Sequence, residues 1–174
     1  MLCISVDGQK DFFHTGVTVE KSRASKMAEK DCAICSGKAD DTFKRFEVWS
    51  NERWRLSMST YKAVRGFCYL EPKRHIQYIT DLDGKEALEF GSVLAIVSNA
   101  IKYATNAKLV YVYIYGGHIP HLHVHLAPHK DGDIFVDDVI KSNVQLDESL
   151  SGSDDVRLLA NEIEEKILQR PIFR

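Results

Sequence analysis

Residues 121 to 127 read His121-Leu122-His123-Val124-His125-Leu126-Ala127, with three histidines separated by single apolar residues. Side chains alternate between the two faces of a β-strand, so this spacing predicts three imidazoles on one face and an apolar row on the other. Imidazole titrates near neutral pH and can accept a proton, donate one or attack an electrophile. Because the chain has only 7 histidines in 174 residues, we interpret the row as functional rather than as the solvated face of an amphipathic strand.

Two further motifs precede the histidine row. Asp31-Cys32-Ala33-Ile34-Cys35 contains a CxxC pair, and Glu71-Pro72-Lys73-Arg74-His75-Ile76 contains a PKRH segment. In this order and spacing, the three motifs resemble those of the histidine-triad (HIT) family of nucleotidyl hydrolases and transferases. The resemblance covers about residues 31–130, and it implies an α+β HIT-like fold.

The composition predicts a soluble globular protein without membrane or nucleic-acid partners. The chain has 44% hydrophobic and 28% charged residues and a net charge of −2, which does not favour nucleic acid by bulk charge. No apolar run approaches the roughly 20 residues that a bilayer span needs, and the first residues do not resemble a secretory signal. Four cysteines, two of them in CxxC, favour a reducing compartment. We therefore expect a cytoplasmic protein.

Apolar periodicity predicts an antiparallel sheet of about five strands with one long helix and a C-terminal helix. Apolar residues between Ala87 and Ala104 recur every three or four positions, as on an amphipathic helix, and a shorter stripe of this kind runs from Val156 to Ile167. Strands are predicted at residues 43–50, 54–58, 66–71, 109–115 and in the histidine row. We expect one domain over 1–174, made of an N-terminal extension (1–30), a HIT core (31–130), and an acidic loop with the C-terminal helix (131–174).

The long helix also predicts an assembly. Val93, Ile96 and Ala100 lie beside its main apolar row and widen the apolar surface. The HIT resemblance implies a homodimer in which this helix and the neighbouring strand meet their symmetry mates. The alternative is that the termini of the same chain cover the wide face.

The resemblance also implies roles for the histidines. His123, in the middle of the row, would attack an α-phosphorus and form a covalent nucleotidyl-histidine. His125 would donate a hydrogen bond to the phosphoryl group or bridging oxygen of the substrate. The carbonyl of Gly116 would hold the proton on the second nitrogen of His123.

Two further residues are candidates for substrate contacts. The family usually has Ser or Thr three positions before the first histidine, where this chain has His118. A fourth imidazole at this position could protonate the leaving group, or His118 could be an ordinary loop residue. Asn51, in the predicted turn between the first two strands, is a candidate ribose contact.

The cysteine pair predicts a metal site. Zinc takes four nitrogen or sulfur ligands, and CxxC is a usual first half of such a site. Cys32 and Cys35 supply that half, and the resemblance implies His75 and His121 as the other ligands of one structural zinc per chain. The alternative is a reduced CxxC without metal. We expect no organic cofactor.

These features favour an enzyme that cleaves a nucleotide at its α-phosphate, with a dinucleoside polyphosphate (such as diadenosine tetraphosphate) or a nucleoside phosphoramidate as substrate. One alternative is a metal-dependent hydrolase or oxygenase that uses HxHxH as ligands. That alternative needs a nearby carboxylate, and residues 116–130 contain none. The other alternative is a non-catalytic nucleotide-binding module.

Overall fold

The computed structural model describes residues 29–60, 64–115, 119–132 and 153–170. Within these ranges, five antiparallel strands form one sheet in the order β1-β2-β3-β5-β4. The strands are β1 Arg45–Ser50, β2 Trp54–Ser59, β3 Cys68–Pro72, β4 Leu109–Ile114 and β5 Val124–His129. The helices are α1 Lys38–Thr42, α2 Gly84–Thr105 and α3 Ser153–Leu168, and a 3-10 turn spans Ile79–Asp81. The α+β architecture predicted from the sequence is confirmed.

One face of the sheet is covered by α2 and α3. Alternate side chains of the strands, among them Leu56, Leu70 and Val124, are fully buried there against α2 and α3. Trp54 is also fully buried, and its ring lies 5.6 Å from that of Phe90 on α2. Among the helices of the described ranges, none combines the length and the apolarity that a membrane span requires.

The wide apolar face of α2 is used within the chain. Val93, Ile96 and Ala100 are 1%, 6% and 2% exposed, and they share a core cluster with Ile163 and Ile167 of α3. The expectation that these three residues meet a second subunit is therefore wrong. The C-terminal helix is the chain's own cover for this surface, because its apolar stripe is long enough to pack along α2.

The other face of the sheet carries the polar and aromatic residues. His125 of β5 is paired with Tyr69 of β3 and with Tyr113 of β4, so the three side chains share one face. We call this surface the histidine face. β5 begins only at Val124, so His121 and His123 precede the strand instead of lying within it as expected. The backbone N–H of Leu122 donates to the Ile76 carbonyl (2.6 Å), which ties this segment to the residues after β3.

Candidate active site and metal centre

His123 has one nitrogen whose protonation follows from its surroundings. Its Nδ1 lies 2.6 Å from the backbone carbonyl oxygen of His121. A carbonyl can only accept a hydrogen bond, so Nδ1 carries the proton. In the neutral ring, the lone pair therefore resides on Nε2. The half-buried imidazole is thus oriented and polarised by a single main-chain acceptor.

His125 lies beside His123 in an aromatic surround. The centroids of the two imidazole rings are 5.0 Å apart. The rings of Phe67, Tyr69 and Tyr115 meet that of His125 edge-on, at centroid distances of 5.8, 5.1 and 5.7 Å. These contacts on several sides restrict the orientation of the His125 ring next to His123.

Three other candidates from the sequence are placed differently. Gly116 and His118 lie outside the described residues, so their predicted roles stay predictions. The described acceptor for His123 Nδ1 is the His121 carbonyl. Asn51 lies in the β1–β2 turn, where its side-chain oxygen accepts the backbone N–H groups of Arg53 (2.8 Å) and Trp54 (2.7 Å). This shapes the turn, and the ribose contact of Asn51 stays a prediction.

His121 points away from the other two triad histidines. It is 1% exposed, and its Nδ1 lies 3.4 Å from Cys32 Sγ and 3.3 Å from Cys35 Sγ. Its Nε2 donates to the Pro72 carbonyl at 2.9 Å, so the lone pair on Nδ1 faces the two cysteines. Burial lowers the pKa of His121 and favours this neutral form.

The residues Cys32, Cys35, His75 and His121 bring four ligand atoms within 4.8 Å of one another. His75 joins the group through Nδ1, which lies 3.4 Å from Cys35 Sγ. A tetrahedral zinc with ordinary bond lengths separates its sulfur and nitrogen ligands by about 3.5 Å, close to the distances found. Burial and the neighbouring Cys32 thiol raise the pKa of Cys35 to about 12, and a bound cation reverses this by stabilising both thiolates. The donor set therefore fits zinc.

A closed ring of four charged side chains lies next to this centre. Arg45 of β1 and Arg55 of β2 each bind both Asp40 of α1 and Glu71 of β3, at distances of 2.6–2.7 Å. The side chains of Arg45 and Glu71 are 3% and 1% exposed. Glu71 immediately precedes Pro72, whose carbonyl holds His121. The ring thus fastens the segment after the CxxC pair to the sheet.

We expect Glu71→Gln to lower the free energy of unfolding by about 3–5 kcal/mol, because it leaves two guanidinium groups with one carboxylate in a buried site. Glu47→Gln on β1 is the matched control, since Glu47 is exposed and its replacement should stay within about 0.5 kcal/mol. Urea unfolding of the parent and both variants measures the difference. Equal stability of the two variants would show that the ring contributes little.

Comparisons with known proteins identify the fold. No protein-family model and no curated protein sequence matches this chain. A hypothetical histidine-triad nucleotide-binding protein from Sulfolobus tokodaii strain 7 is 25% identical with a TM-score of 0.57, over 79% of this chain and 96% of that one. A zinc-bound histidine-triad family protein from Mycobacterium smegmatis is 18% identical with a TM-score of 0.57, over 79% and 96%. Plasmodium falciparum diadenosine triphosphate hydrolase is 17% identical with a TM-score of 0.52, over 70% and 78%.

The chain has the histidine-triad fold. The structural likeness confirms the resemblance that the histidine row, the PKRH segment and the CxxC pair indicated. Within this fold, the chain places His123 and His125 side by side, whereas His121 belongs to the candidate metal centre. The sequence reasoning did not predict the ion-pair ring or the contact of Tyr69 and Tyr115 with His125. A usable signal for the tyrosines was present, since Tyr111, Tyr113 and Tyr115 alternate along one strand.

Proposed function

We propose that this protein cleaves nucleotides at the α-phosphate through a covalent nucleotidyl-histidine on His123. The observation that carries the proposal is the 2.6 Å distance between His123 Nδ1 and the His121 carbonyl oxygen, an acceptor that favours the proton on Nδ1. It leaves Nε2 as a neutral nucleophile at the edge of the histidine face. Dinucleoside polyphosphates, such as diadenosine tetraphosphate, and nucleoside phosphoramidates are the substrate classes.

The reaction divides into two displacements. His123 Nε2 attacks the α-phosphorus, the bond from phosphorus to the bridging oxygen or nitrogen breaks, and the leaving group keeps the electron pair and takes up a proton. Water then attacks the same phosphorus and breaks the P–Nε2 bond, which releases a nucleoside monophosphate and restores the imidazole. His125 is positioned to donate a hydrogen bond to the phosphoryl or bridging oxygen, where negative charge builds up.

The zinc that we propose at Cys32, Cys35, His75 and His121 has a structural role. The four side chains would supply all the ligands of a tetrahedral zinc, as in closed structural sites rather than catalytic ones. When bound, the metal links the CxxC segment to the sheet beside the active site. A protein of the same fold from Mycobacterium smegmatis is zinc-bound, which supports a zinc in this fold.

The arrangement of the triad argues against a catalytic metal held by HxHxH. His121 Nδ1 faces the cysteines, so the three imidazoles do not converge on one point. Over the described ranges, the group of Cys32, Cys35, His75 and His121 is the one cluster of three or more potential ligands. No carboxylate completes a second site with His123 and His125 there.

The test is cleavage of diadenosine tetraphosphate and adenosine 5′-phosphoramidate without added metal, in brief incubations with EDTA. Release of AMP under these conditions supports covalent catalysis by the histidine. Activity that returns only with added divalent cations would instead support a metal-dependent hydrolase. Binding of diadenosine tetraphosphate without any cleavage would indicate a nucleotide-binding module.

We also propose a homodimer, formed along β4 rather than through the buried face of α2. β4 is an edge strand of the described sheet, and two apolar side chains on it, Val112 and Ile114, are 42% and 41% exposed. An exposed, apolar edge strand favours pairing with another strand. Two copies of β4 meeting across a two-fold axis would cover the same residues on both subunits.

We expect Ile114→Lys to change the mass in light scattering from twice the 19.8 kDa chain mass to a single chain, because a charge at the edge opposes strand pairing. Leu158→Lys is the matched control. Leu158 is 68% exposed on α3, which lies against β1 at the opposite edge of the sheet. A parent protein that is already monomeric at micromolar concentration would contradict the dimer.

A further inference from the structure

Tyr113 and Tyr115 form an aromatic pair next to the reactive histidines. Their rings are 5.8 Å apart between centroids and inclined by only 15°, an offset-stacked arrangement. Tyr111 extends the series, with its ring 6.0 Å from that of Tyr113. Three aromatic rings therefore follow one another along β4 and the residue directly after it.

The pair is continuous with the candidate active site. The ring of Tyr115 meets the His125 ring edge-on at 5.7 Å, and Tyr113 is the strand neighbour of His125. A nucleotide whose phosphate lies at His125 could therefore extend over the rings of Tyr113 and Tyr115. Packing explains only part of the series: Tyr111 and Tyr113 pack against the small cluster formed by Val64, Phe67, Tyr69 and Ala127, whereas Tyr115 remains 42% exposed.

Three basic side chains among the described residues, Arg45, Arg55 and Lys108, are already paired with carboxylates. The guanidinium groups of Arg45 and Arg55 are both engaged by Asp40 and Glu71. At the far end of β4, Lys108 is paired with Asp131. Stacking on aromatic rings binds nucleobases without requiring a charge, because every base has a π-face.

We propose that Tyr115, supported by Tyr113, is a stacking platform for a nucleobase of the substrate. This inference rests on the proposed function, since it says where the nucleobase binds when the phosphate of the same substrate lies at His123 and His125. The base could belong to the nucleotide that is transferred to His123 or to the leaving group. Either base would stack on the ring in the same way, and substrates with and without a second base distinguish the two cases.

The experiment compares Tyr115→Ala, Tyr115→Phe and the control Tyr78→Ala. Tyr78 is 47% exposed, close to the 42% of Tyr115, and it lies just before the 3-10 turn Ile79–Asp81 instead of in the tyrosine series. Steady-state kinetics are measured with diadenosine tetraphosphate and with adenosine 5′-phosphoramidate, and binding of both is measured by calorimetry. For Tyr115→Ala we expect a roughly 10-fold rise in KM and Kd with little change in kcat. Tyr115→Phe should retain the parent values because it keeps the ring, and Tyr78→Ala should also match the parent.

The two substrates assign the base. An effect on both identifies the transferred nucleotide, and an effect on diadenosine tetraphosphate alone identifies the leaving group. Equal behaviour of Tyr115→Ala and Tyr78→Ala would overturn the platform, as would a weakened affinity that coincides with a lower mass in light scattering. If the parent binds diadenosine tetraphosphate through Tyr115 but cleaves neither substrate, the platform stands and the proposed enzymatic function fails.

Discussion

His123→Asn is expected to lower turnover of diadenosine tetraphosphate by at least about 10³-fold while leaving the unfolding temperature unchanged. The asparagine side chain can still donate to the His121 carbonyl from its amide nitrogen. It has no ring nitrogen with a lone pair equivalent to Nε2, so it cannot form the covalent intermediate. Initial rates of AMP release and thermal unfolding, measured on the same preparations, check both parts.

His129→Asn is the control for this substitution. His129 lies at the other end of β5, where its ring is 5.4 Å from that of Tyr111, and we expect near-parental turnover. Mass spectrometry of the parent after rapid acid-free quenching should find a nucleotidyl group on His123. A His123→Asn variant with near-parental activity, or an adduct on His125, would show that the covalent mechanism proposed here is wrong.

The sequence predicted most elements of the sheet and α2 because their apolar periods are strong. α2 runs from Gly84 to Thr105 and contains the whole apolar stripe that was predicted between Ala87 and Ala104. The start of β5 was predicted less well. Alternation of apolar and polar residues extends back to His121. His121, however, binds the Pro72 carbonyl of β3 through its side chain, and the backbone N–H of Leu122 donates to Ile76, which lies beyond the end of β3. Alternation in the sequence indicates which side chains are buried. It does not distinguish a strand that is hydrogen-bonded in a sheet from an extended segment without such pairing.

The same limit explains what was missed on the histidine face. No prediction was made from the sequence for Arg45 and Glu71, which are buried in the structure and bound to each other, with Asp40 of α1 as a further partner of Arg45. Burial of an ion pair depends on which segment covers it, and that is a long-range contact. For α2, by contrast, the extra apolar residues were recognised, and only their partner was assigned incorrectly. A row of apolar side chains in the sequence indicates a buried surface, but it does not identify the element that packs against that surface.

The metal centre and the nucleophile share a residue, and this gives the zinc a predicted effect on both stability and rate. His121 offers Nδ1 to the metal group, and its backbone carbonyl holds His123 Nδ1. Loss of the metal would release the segment that carries Cys32 and Cys35, and with it the constraint on His121. The His123 imidazole would then lose part of its orientation, although no reacting group touches the metal.

We expect Cys32→Ala to abolish zinc binding and to lower the unfolding temperature, whereas Cys68→Ala keeps one zinc per chain. The two cysteines are 2% and 0% exposed, so both variants remove a buried thiol, but Cys68 Sγ donates to the Gly66 carbonyl, away from the cluster. Elemental analysis of protein purified without added metal measures the zinc content. Free zinc at 100 times its Kd adds about 2.7 kcal/mol to stability, so a strong chelator should destabilise the parent and Cys68→Ala but not Cys32→Ala. A metal-free parent whose unfolding temperature is insensitive to both zinc and chelator would instead leave Cys32 and Cys35 as a reduced thiol pair.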